Sequence, residues 1–137
     1  MLSTRRSRPD DRRLYRQRIP SEPITLADVR ELALTLPRTT EGLVRGRVKF
    51  YVGRIVYLAF ARDETMMGFA FPKEWREAAV DAEPEKFLLP KGGDLRYNWL
   101  VVRLAAVDHA EMAELVTDAW SMVVPQRVVD AYLARPG

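Results

Sequence analysis

The sequence predicts an α+β fold, in which an antiparallel sheet of about four or more strands is covered by helices. Three apolar runs rich in β-forming residues follow one another within residues 47–71, separated only by short breaks. On either side, residues 25–36 and 108–123 repeat apolar side chains at spacings of three and four, which is typical of amphipathic helices. A β-meander flanked by such helices indicates that the helices pack on the sheet.

Length and composition predict one folded domain preceded by an arm. The 137 residues suffice to bury a core without help from a metal or a disulfide. Cysteine is absent, which excludes a thiolate metal site and a cysteine nucleophile. The sequence has no run of about 18 apolar residues and no secretion signal, so we expect a cytoplasmic protein without membrane contact. We place the arm at residues 1–23 and the domain at residues 24–135.

The arm holds most of the positive charge. Residues 1–19 carry seven arginines against two aspartates, a net charge of +5, so the remaining residues sum to −2 in a chain of net charge +3. A polar, arginine-rich segment without apolar periodicity is predicted to be disordered. Its arginines can neutralise phosphates without a fold, and the alternative is a solvated tail. The candidate nucleic-acid-binding residues here are Arg5, Arg6, Arg8, Arg12 and Arg13.

The first helix is predicted to begin at Thr25, whose hydroxyl can accept a hydrogen bond from the amide of Asp28, and to end before Pro37. Residues 38–46 are predicted as a loop. After the meander, residues 73–82 are predicted as a short helix with Trp75 facing the core.

The last third of the chain predicts a further strand and two helices. The strand covers residues 99–106, with alternating apolar side chains. Asp108 is placed to cap a long helix that Pro125 ends, and residues 126–134 form a final short helix.

The first hairpin of the meander can pair in two registers. A two-residue turn at Gly53-Arg54 would pair Val52 with Ile55 and place Lys49 among apolar side chains. A three-residue turn at residues 52–54 pairs Tyr51 with Ile55 and separates the faces more cleanly, so we predict the longer turn, with Gly53 or Arg54 left-handed. The buried face is then Val48, Phe50, Val56, Leu58 and Phe60, and the other face carries Arg47, Lys49, Tyr51 and Tyr57.

That second face is the best candidate for a binding surface. Trp99 and Arg103 join it if the later strand pairs with the meander. Cationic side chains interleaved with aromatic rings are typical of nucleic-acid surfaces, because the charges neutralise phosphates and the rings stack on bases or sugars. The alternative is that helices or a second subunit cover this face.

Five short strings occur in a fixed order along the predicted elements. They are Leu34, Leu36 and Pro37 with Glu41; Phe50, Val52, Gly53 and Tyr57; residues 83–87 with Pro90; Trp99 with residues 101–104; and residues 118–123 with Pro125. These strings and the order of the elements resemble the MmcQ/YjbR family. No single string is specific to the family, but their ordered set over residues 24–133 is. The resemblance implies a frataxin-like, CyaY-like (double-wing) α+β fold and a DNA-binding role, and it assigns no catalytic residue.

Catalysis and metal binding have weaker support in the sequence. His109 is the single histidine, and Ser121 lies about three helical turns away from it, so no nucleophile–base pair is predicted. The acidic residues of segment 74–85 are interleaved with basic ones, as on many surface helices. We therefore predict a non-sequence-specific DNA-binding protein that is not an enzyme and uses no cofactor or metal. The alternative is a protein- or small-molecule-binding module with no nucleic-acid role.

Overall fold

The computed structural model describes residues 23–136, in which a helix, four strands, a second helix, two strands and two final helices follow one another. The strands are β1 (Thr39–Val44), β2 (Arg47–Val52), β3 (Ile55–Phe60), β4 (Met66–Ala70), β5 (Phe87–Leu88) and β6 (Trp99–Arg103). The α-helices are α1 (Leu26–Ala33), α2 (Arg76–Ala82), α3 (His109–Ser121) and α4 (Gln126–Ala134). Short 3₁₀ turns occur at Lys73–Trp75, Gly92–Arg96 and Leu104–Ala106.

All six strands form one antiparallel sheet in the order β1-β2-β3-β4-β6-β5. The first four are joined by consecutive hairpins, and β6 returns to pair with β4 while β5 lies at the far edge. The predicted α+β class, with an antiparallel sheet and packed helices, is confirmed. Within residues 23–136 no helix combines the length and the apolar composition needed to cross a bilayer.

The core lies between the helices and one face of the sheet. Helix α3 packs on β3 and β4 and also contacts α1. Its Trp120 is fully buried, and the indole Nε1 donates a hydrogen bond to the carbonyl of Pro37 at 2.8 Å. We call the sheet face that meets the helices the inner face and the opposite one the outer face. The buried inner-face side chains are Phe50, Leu58, Phe60, Met67, Phe69, Leu100 and Val102.

The predicted loop over residues 38–46 is wrong, because most of it forms β1. This strand pairs with β2 along its whole length, from Thr39 opposite Val52 to Val44 opposite Arg47. As an edge strand it buries little, so its sequence lacks the apolar alternation that marks a strand. Both of its ends are tight: Arg38 has φ 70°, and the turn into β2 has φ 53° at Arg45 and 80° at Gly46.

The helix starts are confirmed at both capped ends. Thr25 accepts from the amide of Asp28 at 3.2 Å, and the Asp28 carboxylate accepts from the Thr25 amide at 2.9 Å. Asp108 caps α3 through the amide of Glu111 at 2.8 Å. The prediction for Trp75 is wrong: it lies in the 3₁₀ turn before α2 and is 62% exposed.

The first meander hairpin combines features of both registers. The turn is the two-residue one, with Gly53 at φ 62° and Val52 opposite Ile55, so the predicted three-residue turn is wrong. A β-bulge between Phe50 and Tyr51 then shifts the pairing, so that Tyr51 faces Val56 but Phe50 faces Leu58. The bulge restores the predicted burial of Phe50 and Leu58 and leaves Val56 only half-buried, outside the core.

Candidate nucleic-acid interface

Residues on the outer face fall into three rows that run across the strands. One row contains Arg47 on β2, Met66 on β4 and Arg103 on β6. The middle row contains Gly42, Lys49, Ala59, Gly68 and Val101, each opposite its neighbour in the pairing register. The third row contains Tyr51 on β2, with Ala70 and Trp99 paired on β4 and β6.

The structure therefore brings five of the six predicted sheet-face residues to one surface. Arg47 and Arg103 are exposed, and Lys49, Tyr51 and Trp99 are half-buried. Strands are about 4.8 Å apart, so β2 and β6, which are separated by β3 and β4, lie about 14 Å from one another. Cations and rings from distant parts of the chain thus share one surface, about 14 Å across from β2 to β6.

The two rings of this surface each lie against a glycine on the adjacent strand. A Cβ on Gly68 would come within 2.5 Å of the Trp99 Nε1 and 2.8 Å of its Cε2, so a side chain at this position would have to displace the indole. A Cβ on Gly42 would lie 3.1 Å from the Cε1 of Tyr51. Both contacts are diagonal, because Trp99 pairs directly with Ala70 and Tyr51 with Thr40. The glycines let both rings lean toward the middle row.

These glycines are functional candidates that the sequence reasoning missed. Glycine inside a strand weakens it, and it often marks a place where another group approaches the backbone closely. Gly68 lies between the buried Met67 and Phe69, which was the available signal. Sequence alone could not identify Trp99 as the ring that lies on Gly68, because the two residues are 31 positions apart and meet only through the pairing of β4 with β6.

The arginines of the outer face are held by backbone carbonyls. The Arg47 Nε donates to the carbonyl of Phe60 at 3.1 Å. The Arg103 Nη1 donates to the carbonyls of Glu85 at 3.0 Å and Pro84 at 3.3 Å. A carbonyl orients a guanidinium without cancelling its charge, so both side chains keep a positive charge and free N–H groups for an anion.

Carboxylates are absent from the outward-facing positions of the strands within residues 23–136. Two ion pairs of the described residues lie away from the outer face: Arg30 with Glu41 at 2.8 Å, and Lys86 with Glu111 at 2.6 Å. Hydrogen bonding from Arg30 lowers the pKa of Glu41. Glu41 belongs to β1 but lies opposite Phe50, on the helix side of the sheet.

Charge is also unevenly distributed along the folded part of the chain. Residues 38–62, which form the first three strands and their turns, carry six basic side chains and one acidic one. Residues 108–130, which include α3 and most of α4, carry five acidic side chains and one arginine. The helix layer therefore holds the negative charge and the meander holds the positive charge, although the folded part is close to neutral overall.

The prediction for Tyr57 is wrong, because this residue is fully buried and not on the outer face. It is the extra residue of the bulge, which turns its side chain to the core side. Its hydroxyl shares a hydrogen bond of 2.7 Å with that of Thr39. Burial raises the pKa of Tyr57 to about 12, and the hydrogen bond with Thr39 offsets only part of that shift.

The predicted arm residues Arg5, Arg6, Arg8, Arg12 and Arg13 lie outside the residues that the structure describes. His109 is 70% exposed, and its Nε2 lies 3.7 Å from the Asp28 carboxylate on α1. Within residues 23–136, no three histidine or acidic side chains converge as metal ligands would. Glu83 from the acidic segment pairs with Lys86 at 3.0 Å.

Comparison with known proteins identifies the family. The family model described as YjbR matches residues 34–122, well over half of the chain. The chain belongs to the YjbR family. The match contains every outer-face residue discussed above, from Gly42 to Arg103, and begins after the arginine-rich arm.

A solved YjbR-family structure shares the fold. The crystal structure of Deinococcus radiodurans protein DR2400, with the family-model domain DUF419, aligns with a TM-score of 0.66. The alignment covers 86% of this chain and 94% of that chain at 18% sequence identity. At this identity the likeness establishes the fold alone.

Curated relatives match over a shorter segment. Uncharacterized proteins of Mycobacterium tuberculosis and Mycobacterium bovis are 42% identical to this chain over 41 residues. That segment is 30% of this chain, and the chain spans about a third of the length of these relatives, 32%.

Proposed function

We propose that this YjbR-family protein binds DNA without sequence specificity, through the outer face of its sheet together with the arginine-rich arm. The observation that carries the proposal is the composition of the outer face: Arg47, Lys49 and Arg103 share it with Tyr51 and Trp99, and no carboxylate occupies an outward position of the described strands. Phosphate contacts dominate DNA affinity, and a surface without acidic residues suits them.

The anchored arginines support phosphate binding. Arg47 and Arg103 are already oriented by carbonyls of the protein, so binding an anion immobilises less side-chain freedom than binding by an unrestrained arginine. Such contacts fix position on the backbone of DNA but carry no sequence information. A sheet face that offers cations and rings is therefore expected to bind DNA of any sequence.

The arm is proposed to add affinity by charge. Its net charge of +5 joins that of the meander, which is the basic part of the folded domain. Each arginine that neutralises a phosphate releases a counterion, so arm contacts increase the salt dependence of binding. We propose a binding role in the cytoplasm without catalysis. His109 is exposed and Ser121 lies at the other end of α3, about 18 Å along the helix, so the two cannot form the nucleophile–base pair that catalysis would need.

The test is fluorescence anisotropy of the full chain with a labelled mixed-sequence oligonucleotide, offered as a single strand and as a duplex, at about 50 and 200 mM salt. One variant replaces the face cations by Arg47→Gln, Lys49→Gln and Arg103→Gln. A second replaces the five arm arginines, Arg5, Arg6, Arg8, Arg12 and Arg13, with glutamine. For duplex DNA, each lost phosphate contact should reduce the log–log salt slope by about 0.9.

Arg127→Gln on α4 is the control for loss of a positive charge away from the outer face: it removes one charge from the acidic helix layer, against three in the face variant and five in the arm variant. We expect the face and arm variants each to bind more weakly, with a shallower salt slope, while the control binds as the original chain does. If neither form of DNA binds at the lower salt, the proposed function is wrong. A role in binding a protein or small molecule would then take its place.

A further inference from the structure

We infer that the outer face takes unpaired nucleotides, so that the nucleic acid bound there is a single strand and not a duplex. This inference rests on the proposed function and names the form of the ligand. It is carried by Tyr51 and Trp99, whose rings each lie against a glycine of the adjacent strand, and by the cations between and beside them.

The rings would contribute little to duplex binding. In a duplex the base faces are stacked on one another, so a protein ring reaches only phosphates, sugars and base edges. The sheet is also too wide to enter a groove: six strands span about 24 Å, whereas the major groove is about 12 Å wide. A single strand exposes base faces, on which aromatic side chains stack whatever the sequence.

Each glycine lets a ring pack directly on the backbone of the adjacent strand. The indole of Trp99 lies so close to Gly68 that any side chain at that position would have to displace it. The ring of Tyr51 lies on Gly42 more loosely, since a Cβ there would be 3.1 Å from its Cε1. Both residues remain partly exposed. A packed, partly exposed ring loses less freedom than a fully solvated one when a base stacks on it.

The cations are spaced to suit a strand that crosses the sheet. Lys49 and Ala59 lie in the middle row, between the glycines on which the two rings rest. The row of Arg47 and Arg103 is two residues further along the strands, a distance of about 7 Å. Bases stacked on Tyr51 and Trp99 would thus place their phosphates toward Lys49, Arg47 and Arg103. Sheet platforms of this kind stack two or three bases.

The test compares one labelled 12-nucleotide sequence as single-stranded DNA, as single-stranded RNA and as a DNA duplex, all bound to the full chain at low salt. We expect both single strands, or one of them, to bind more tightly than the duplex. The tighter strand identifies whether DNA or RNA supplies the unpaired bases. Binding should also quench tryptophan fluorescence in the Trp75→Phe variant, which keeps Trp99 and the buried Trp120.

Tyr51→Leu and Trp99→Leu test the rings directly, since leucine keeps apolar bulk but cannot stack. Each should weaken single-strand binding by about 5- to 150-fold and leave duplex binding unchanged. Trp75→Leu is the matched control, because Trp75 is an exposed tryptophan outside the sheet and its removal should change neither affinity. Thermal unfolding of each variant shows whether it is folded. If Trp99→Leu does not fold, Tyr51→Leu alone tests the contribution of the rings.

Three results separate the two proposals. Preferential single-strand binding that depends on both rings supports the inference. The inference is overturned if the duplex binds as tightly as the single strands or more tightly, and if that binding is lost in the variant without the face cations but kept in the ring variants. The proposed function then still stands. Absence of binding to all three nucleic acids overturns both.

Discussion

The two faces of the sheet are built from different kinds of side chain. The inner face presents large apolar groups such as Phe50, Phe60 and Phe69, all buried under helices. The outer face places glycine and alanine on its central strands, and rings and cations reach over them. The inner face supplies most of the buried core. The outer face carries cations and half-buried rings, which is why the proposed binding role is placed there.

The largest effect is expected on the inner face. Phe60→Ala removes a fully buried ring that packs edge-to-face against Phe50, with ring centroids 6.3 Å apart. It should lower the free energy of unfolding by about 3–5 kcal/mol, measured by urea denaturation. DNA affinity of the molecules that remain folded should not change. A loss of stability below about 1 kcal/mol would contradict the assignment of this face to the core.

Burial of Tyr57 at the bulge makes the stability of the fold depend on pH in the alkaline range. The pKa of Tyr57 in the folded protein is about 12, above the unfolded value of about 10. Because the folded pKa is the higher one, the free energy of unfolding is unaffected by this group below pH 10. It falls as the pH rises toward 12, by up to about 2–3 kcal/mol.

Urea denaturation between pH 8 and 11.5 measures this loss, and Tyr57→Phe is the comparison. The variant should be about 1 kcal/mol less stable at neutral pH, because Thr39 loses its hydrogen-bond partner. It should lack the part of the alkaline loss that comes from this hydroxyl. Equal alkaline losses in both proteins would show that Tyr57 is accessible to solvent.

On the outer face, Gly68→Ala should destabilise by about 1–3 kcal/mol, because the new methyl group displaces the Trp99 indole. Gly93→Ala is the matched control, since its methyl group would meet only the Arg96 guanidinium, at 3.7 Å or more. Thermal unfolding reports the change, and so does tryptophan fluorescence recorded in a Trp75→Phe background, which keeps Trp99 and the buried Trp120. If Gly68→Ala and Gly93→Ala behave alike, the ring is not held by the close approach that we describe.

The smallest effect is expected from the ion pair that joins α1 to β1 on the helix side. Glu41→Gln removes the charge that holds the Arg30 guanidinium through its Nε at 2.9 Å and its Nη2 at 2.8 Å. Both side chains are partly exposed, so the cost should be about 0.5–1 kcal/mol and should shrink in high salt. A salt-independent loss above 2 kcal/mol would indicate that this pair is part of the core.

Periodicity and capping predicted much of the architecture. The α+β class, the three later strands of the meander and the capped starts of α1 and α3 follow from signals that are local in the chain. Edge strand β1 was missed because one edge and much of both faces are open, so its residues carry little apolar pattern. Family membership could also be predicted from the sequence, because the short strings that resemble the family lie mostly within residues 34–122, which the family model matches.

Alternation along β2 is enough to predict that Arg47, Lys49 and Tyr51 lie on one face and Phe50 on the other. It could not predict that Trp99 reaches Gly68, that Tyr57 turns inward or that carbonyls hold Arg47 and Arg103. Side-chain alternation is a property of one strand, whereas bulges and diagonal contacts depend on the register between strands that are far apart in the chain.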